Sequence, residues 1–228
     1  MELIKKGKTK DVYALNDGNI LLKFKDDVTG NATTGEQDPG GNQVVGQVEG
    51  VGMHALKVTS YYFELLNKKG ISTHFVSSDL DKGEMIVRPA TMFGNGLEFV
   101  VRYVATGSFI RRFGQYIKDE TSLNPEIMEV TLKDDSRNDP PLTKEILASL
   151  NLLTFKQFKK IEKEVKKVCG VVKCDLAKRG ITLYDIKVEY GIVDNKIALI
   201  DEISGGNLRA YKNGKKLTYL ELSQEMFG

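Results

Sequence analysis

Thr182-Leu183-Tyr184-Asp185-Ile186-Lys187-Val188-Glu189-Tyr190-Gly191-Ile192-Val193, then Asp194-Asn195, then Lys196-Ile197-Ala198-Leu199-Ile200-Asp201-Glu202-Ile203, reads as two strands around a turn. Asp185, Lys187 and Glu189 fall at i, i+2 and i+4, so they project from one face of the first strand. Three alternating ionisable residues are either a solvated sheet face or a site. The partner strand bears on the choice. With Asp194-Asn195-Lys196 as the loop, Val193 pairs with Ile197 and Asp201 stands opposite Glu189. Two carboxylates facing each other across a ladder repel. A cation between them removes the penalty, and hard oxygen ligands suit Mg²⁺. A two-residue loop instead sends Asp201 to the other face, so the register is a hinge of this reading.

Upstream, Phe155, Phe158, Ile161, Val165, Val168, Val172 and Leu176 recur in steps of three and four, marking one long amphipathic helix over Thr154–Arg179. Gly180 ends it. Downstream, the Lys212-Asn213-Gly214-Lys215 turn leads into a short C-terminal helix. Toward the N-terminus, Asp11–Leu15 and Ile20–Phe24 are strands around Asn16-Asp17-Gly18-Asn19. The polar, glycine-rich Thr29–Gly52 stretch, with Asp38-Pro39-Gly40-Gly41, reads as a functional or mobile loop that cannot pack a core. A helix over Met53–Lys68 follows, with Leu56, Tyr62, Phe63 and Leu66 on its apolar face and Gly70 as its stop. Thr73–Val76, Glu84–Val87 and Glu98–Tyr103 read as strands, and Arg111-Arg112-Phe113-Gly114 closes a short helix. The order is strand-rich first, then mixed, which predicts an α+β fold of two lobes. The Pro89, Gly94 and Gly96 cluster places the boundary near Ala90–Asn95, giving an antiparallel-sheet lobe over 1–90 and a mixed lobe over 91–228 with a cleft between them.

The chain has 228 residues, 41% of them hydrophobic and 28% charged, with a net charge of +2. A balance so near neutral argues against a nucleic-acid binder working by bulk electrostatics, though not against a local basic pocket for a phosphorylated small molecule. Cys169 and Cys174 are too few for a disulfide scaffold and fall on different faces of the long helix. The start, MELIKKGKTK, lacks the apolar region of a signal peptide, and no apolar run is long enough to span a membrane, so the cytosol is the expected address.

Two further groups could carry chemistry. Gly7-Lys8-Thr9-Lys10 precedes a strand and could meet phosphate, because glycine allows close backbone approach and lysine supplies charge. It lacks the Walker A spacing and equally suits a basic, solvated N-terminus. Arg102 and Ser108 flank the end of a strand at Thr106-Gly107-Ser108, where a short helix opens. With Arg209 they could grip an anion, since arginine recognises phosphate bidentately. His54 and His74 have no partners at a spacing that suggests metal ligation or base catalysis.

These pieces share an order. Gly7-Lys8-Thr9-Lys10-Asp11-Val12-Tyr13, Phe24-Lys25-Asp26-Asp27-Val28-Thr29, Lys69-Gly70-Ile71-Ser72-Thr73-His74-Phe75, Glu98-Phe99-Val100-Val101-Arg102, Thr106-Gly107-Ser108, Lys133-Asp134-Asp135, Asp139-Pro140, Asp185 to Gly191 and Asp201-Glu202-Ile203-Ser204 follow one another along nearly the whole chain. In this the sequence resembles the SAICAR synthetase family. The resemblance implies an ATP- and Mg²⁺-dependent ligase of purine biosynthesis that joins aspartate to carboxyaminoimidazole ribonucleotide through an acyl phosphate, with ATP in the cleft between two lobes. It implies ATP contacts for Lys8, Lys10, Val87 and Lys133, and Mg²⁺ ligation by Glu189 and Asp201. Asp185 and Lys187 would act at the reacting groups, and Arg102, Ser108 and Arg209 would hold the ribonucleotide phosphate. The implied partners are small molecules (ATP, aspartate or another amine, and a phosphorylated carboxylate), with no nucleic acid or membrane and a homodimer left open.

The sequence departs from the family pattern at four places. Gly206 stands where the family has an aspartate suited to a ribose hydroxyl, and Tyr103 where an asparagine is expected. Gly50-Val51-Gly52-Met53-His54-Ala55 replaces a Gly-Lys-Gly loop. The basic start of the usual C-terminal helix is missing, and the chain ends early at Gly228. Two alternatives therefore stand beside the purine ligase: a paralogous amide ligase acting on another phosphorylated carboxylate, and a nucleotide-binding protein without turnover.

Overall fold

The computed structural model describes residues 1–30, 35 and 37–228. Over these residues the chain is α+β, built on antiparallel strand pairs. β1 (Glu2–Lys6), β2 (Lys10–Ala14) and β3 (Ile20–Phe24) form a meander. At the β2–β3 turn, Gly18 takes φ 85° and the Asp17 carboxylate accepts from the Asn19 backbone N–H at 3.0 Å. β1 is exposed along its length and forms an edge strand.

β4 (Asp27–Gly30) and β5 (Gln43–Gln47) pair inside the stretch expected to be a coreless loop. Val28 is buried, and Val45 and Val48 pack against the core. A few valines suffice there because a hairpin resting on a helix needs little apolar surface of its own. Residues 31–34 and 36 of that stretch lie outside the described residues. α1 (Val51–Lys68) starts at Gly50, which has φ 81° and no side chain to cap with. The Asp26 carboxylate takes over the cap, accepting from the N–H groups of Gly50 at 3.1 Å and Gly52 at 2.9 Å.

β6 (Phe75–Asp79) begins two residues later than the sequence reading placed it, and β7 (Glu84–Val87) lies between it and β3. The delay has a cause. His74 N donates to Leu199 O and Leu199 N donates to Ser72 O, both at 2.9 Å, so residues 72–74 stitch the first sheet to the second. His74 is buried and meets Phe63 edge-to-face at 5.5 Å. Burial pulls its pKa down to about 4 and keeps the ring neutral.

The second sheet contains β8 (Thr91–Met92), β9 (Leu97–Val104), β10 (Ser122–Leu132), β11 (Pro141–Leu142), β12 (Thr182–Val193), β13 (Lys196–Ile200), β14 (Leu208–Lys212) and β15 (Lys215–Lys216). β10 went unread in the sequence: Pro125, Glu126 and Glu129 break its alternation, and its register slips between Ser122 and Ile127. β12 is the spine. Its first half lies between β9 and β14, and its second half pairs with β8 and β13.

Four further α-helices lie among the described residues. α2 (Ser108–Phe113) follows β9, α3 (Lys144–Ser149) follows β11, α4 (Phe155–Ala177) precedes β12, and α5 (Tyr219–Phe227) ends the chain. Of these, α4 packs on this sheet and α5 on α1. α4 is closed at its N-terminus by a reciprocal Thr154–Gln157 capping box. Ile161, Val165, Val168, Val172 and Leu176 are fully buried against the sheet, each worth about 1.5–3 kcal/mol of transfer free energy. Phe155, expected on that face, is exposed because it sits at the first helical position, before the helix meets the sheet. Cys169 is buried and Cys174 exposed, on different faces as their spacing predicts. One contiguous core runs from β3 and α1 through β9, α4 and β12 to α5.

Candidate active site

The adjacent strands β9 and β12 place charged residues on a common face. Their register sets Asp185 opposite Arg102, Lys187 opposite Val100 and Glu189 opposite Glu98. Glu98, Arg102, Asp185 and Glu189 are all buried, so the face is not a solvated one. Buried charges on this scale must be paired, and they are.

At one end lies an arginine-rich group. The Asp185 carboxylate accepts from Arg102 at 3.0 Å and from Arg209 at 2.6 Å. Arg102 also donates to Glu129 at 2.5 Å and to the Ser108 hydroxyl at 2.8 Å. Glu129 in turn accepts from Arg112 at 2.6 and 2.8 Å. Asp38, on the β4–β5 connection, binds the other edge of Arg209. Burial opposes the Arg209 charge, but Asp185 and Asp38 more than offset that and raise its pKa. Gly107 is required here: with φ 57°, it would carry a Cβ only 2.7 Å from the Arg209 guanidinium. These residues line a cavity of about 590 Å³, which Lys187 and Glu98 also face.

At the other end lies a group of carboxylates and lysines. Glu98 and Glu189 repel across the ladder, and Lys187 binds Glu98 at 2.6 Å while Lys133 binds Glu189 at 2.5 Å. Lys10, reaching over from the first sheet, binds Glu202 at 2.5 Å and Asp201 at 3.0 Å. Burial alone would lower the lysine pKa values. The neighbouring carboxylates reverse this and raise all three, so Lys10, Lys133 and Lys187 remain cations. Burial and then the Asp201 charge push the Glu189 carboxyl up, against the pull of Lys133 and Lys187. Burial also acts to raise Asp201, but Lys10 and Lys133 outweigh it and hold that carboxyl well below its usual range.

The register expectation needs a correction. The turn has two residues, Val193 pairs with Lys196, and Glu189 stands opposite Ile200. The carboxylate directly across from Glu189 is Glu98 on β9, not Asp201. Asp201 nevertheless joins the cluster, because β13 ends at Ile200 and Asp201 takes φ 65°. That left-handed turn redirects the side chain, so strict alternation no longer applies.

The other residues singled out in the sequence fall as follows. Lys8 binds Asp135 at 2.7 Å near the surface, joining the first sheet to the loop after β10. Val87 lies in the core on β7, paired with Ile20 and Phe75, and is not part of the cavity lining. Glu98, Glu129, Asp38, Arg112 and Glu202 were not singled out, although all five take part in the network. The departures are mostly packing. Val51 is buried in the first turn of α1, and a Cβ on Gly52 would lie 2.8 Å from Lys25 O. Tyr103 lies under the Lys173 ammonium, 4.0 Å from its ring centre. At Gly206 a Cβ would meet the Tyr219 hydroxyl at 2.9 Å, so the first residue of α5 occupies the space that a longer side chain needs.

Residues 3–227 match the family model described as SAICAR synthetase. The chain is 51% identical to the phosphoribosylaminoimidazole-succinocarboxamide synthase of Clostridium tetani, over 98% of each chain. It is 35% identical to the synthase of that name from Sulfurisphaera tokodaii, over 94% of this chain and 86% of the relative. Among solved structures, a SAICAR synthetase in complex with ADP superposes with a TM-score of 0.86 at 29% identity, covering 98% of this chain and 97% of that one. The phosphoribosylaminoimidazole-succinocarboxamide synthase from Ehrlichia chaffeensis gives 0.87 at 27% identity, over 99% and 98%. A family match over residues 3–227, with 51% identity to a synthase of that family over 98% of the chain, places the chain in the SAICAR synthetase family.

Proposed function

We propose that this chain is an ATP-dependent ligase forming the amide between aspartate and carboxyaminoimidazole ribonucleotide. The observation that carries the proposal is the adjacency, on one buried face of β9 and β12, of an arginine-lined cavity and a carboxylate–lysine cluster. The cavity suits a phosphorylated acceptor. The three lysines of the cluster can meet the phosphates of a nucleoside triphosphate beside it. The 51% identity to a synthase of this reaction, together with the packing origin of most departures, favours this reading over a paralogous acceptor or a protein without turnover.

A carboxylate is a poor acyl donor because its leaving group would be oxide. In the proposed sequence an acceptor carboxylate oxygen attacks the γ-phosphorus and the bond to the β–γ bridging oxygen breaks, releasing ADP. The aspartate nitrogen then attacks the acyl carbon and the C–O bond breaks. The phosphate leaves with one acceptor oxygen, and the nitrogen gives up two protons, one of them carried by the phosphate. Lys187 and Asp185 act beside the reacting groups, Lys187 as a half-buried cation next to the phosphoryl group in transit. Arg102, Ser108 and Arg209 hold the ribonucleotide phosphate. Lys8, Lys10 and Lys133 neutralise ATP phosphates, and Val87 belongs to the apolar wall for adenine.

Among the described residues no group of three or more His, Cys, Asp or Glu is arranged to hold a metal ion. Mg²⁺ at substrate sites, however, takes one or two carboxylates and completes its shell with water and phosphate. Glu189 and Asp201 fit that role, because their cluster sets four carboxylates (Glu98, Glu189, Asp201 and Glu202) against three lysines and is short of positive charge. When bound, the ion would offset charge on the triphosphate during transfer. No helix among the described residues is long and apolar enough to cross a membrane, and we place the enzyme in the cytoplasm. The lobes are taken as 1–90 and 91–228, meeting at the contact between Lys10 and Asp201-Glu202. If the acceptor carboxylate is labelled with ¹⁸O, the phosphate released should carry the label. Unlabelled phosphate would overturn the proposed route.

A further inference from the structure

The cavity proposed to hold a phosphate is itself lined by the carboxylate of Glu129. A negative charge beside an anion site weakens binding by repulsion unless it does something else there. The arrangement of the guanidinium groups supplies that role. Arg102 is buried, and each of its three nitrogens has a partner: Nε donates to Glu129 at 2.5 Å, and its two terminal nitrogens donate to Asp185 at 3.0 Å and Ser108 at 2.8 Å. Arginine has five N–H donors, so two are left over. Asp185 ties Arg102 to Arg209, whereas Glu129 ties it to Arg112 on α2. Arg112 also donates from Nε to the Ser108 carbonyl at 3.1 Å. Glu129 thus clamps the plane of Arg102 from β10, and through Arg112 it anchors the residue whose hydroxyl completes the grip.

We infer that Glu129 is a positioning residue for the acceptor's phosphate. It touches no substrate. It fixes the rotation of Arg102 and the seat of Ser108, so that the two remaining Arg102 donors face the cavity before the acceptor arrives. Fixing donors in advance removes the ordering cost from binding, and the benefit falls on the phosphorylated substrate alone. Glutamine is a poor replacement, because its carbonyl carries no charge and its NH₂ group would set a donor against the guanidinium donors.

This inference rests on the ligase reading above. With the whole chain, Glu129→Gln should raise KM for the ribonucleotide roughly 10- to 100-fold, the scale of one or two lost charge-assisted hydrogen bonds. KM for ATP and for aspartate should stay within about twofold of the unaltered chain, a difference too small to count as one lost hydrogen bond. Arg112→Gln, which leaves Glu129 on Arg102 but frees Ser108, should move the same KM in the same direction by less. A role confined to stability would lower the thermal midpoint and reduce turnover with no preference among substrates, and that result would overturn the inference. So would an unchanged ribonucleotide KM in both variants. A second arm is independent of turnover. Ribose 5-phosphate should bind the unaltered chain by calorimetry and bind Glu129→Gln at least about tenfold more weakly, as expected for one lost charge-assisted hydrogen bond. Equal binding to both would reject the positioning role. An inactive unaltered chain would count against the ligase reading alone, because this arm still reports on Glu129.

Discussion

Asp185→Ala should lower the stability of the fold by about 3–5 kcal/mol and leave no measurable ligase turnover. The stability figure is the usual cost of removing one partner from a buried ion pair, which leaves the other charge uncompensated. Here two guanidinium groups are left. Arg102 and Arg209 are both buried, and one oxygen of Asp185 serves both. Without it they repel at close range, with only Glu129 and Asp38 at their outer edges. Asp185→Asn separates folding from chemistry, since the amide keeps the shape and one acceptor but loses the charge. It should recover part of the stability and little of the activity. Urea unfolding of the three proteins measures the first effect. A midpoint for the alanine variant matching the unaltered chain would mean that the network contributes nothing.

Lys187→Met should reduce the rate of ADP release by roughly 10²–10³-fold, the scale of losing one preorganised charge in a site shielded from water. Methionine preserves most of the aliphatic stem, so the loss isolates the ammonium group. Lys187 Nζ holds Glu98 at 2.6 Å and is drawn to Glu189 as well, so its charge links the two ends of the face. Arginine should not rescue it. A Cβ on Gly40 would sit only 3.3 Å from Lys187 Nζ, a measure of how closely the β4–β5 connection presses on the ammonium. A larger planar head group has no equivalent place. The test is kcat at saturating substrates, and a loss of less than about threefold, too small for a preorganised charge, would remove Lys187 from the chemistry.

What the sequence made legible was whatever lies within one element. The apolar period of α4, the alternation of β12 and the turn at Asp194-Asn195 each follow from local spacing, and the order of motifs fixed the family. The partners of the site charges were not legible in the same way. Glu98 meets Lys187, and Glu129 meets Arg102, only because β9 lies between β10 and β12. No local pattern encodes that strand order. Asp38 was hidden for a similar reason, since its contact with Arg209 spans 171 positions. Asp201 teaches a different lesson. Alternation gave the right test of its direction, but a single left-handed residue at the strand end cancelled the outcome. Aspartate tolerates that conformation better than most residues, so the composition permitted the turn without announcing it. The glycine pair before Asn207 suggested a lost substrate contact, whereas the structure adds a packing reason in Tyr219.

The proposed function joins phosphate recognition and phosphoryl transfer on one face, so that ATP is consumed only when a carboxylate and an amine are both in place. Steady-state ADP release, followed with each substrate omitted in turn, tests this most directly. Sustained release is expected with ATP, Mg²⁺, aspartate and carboxyaminoimidazole ribonucleotide together, and only background when either aspartate or the ribonucleotide is left out. Sustained release without the ribonucleotide, or none from folded protein supplied with all four, would contradict that function.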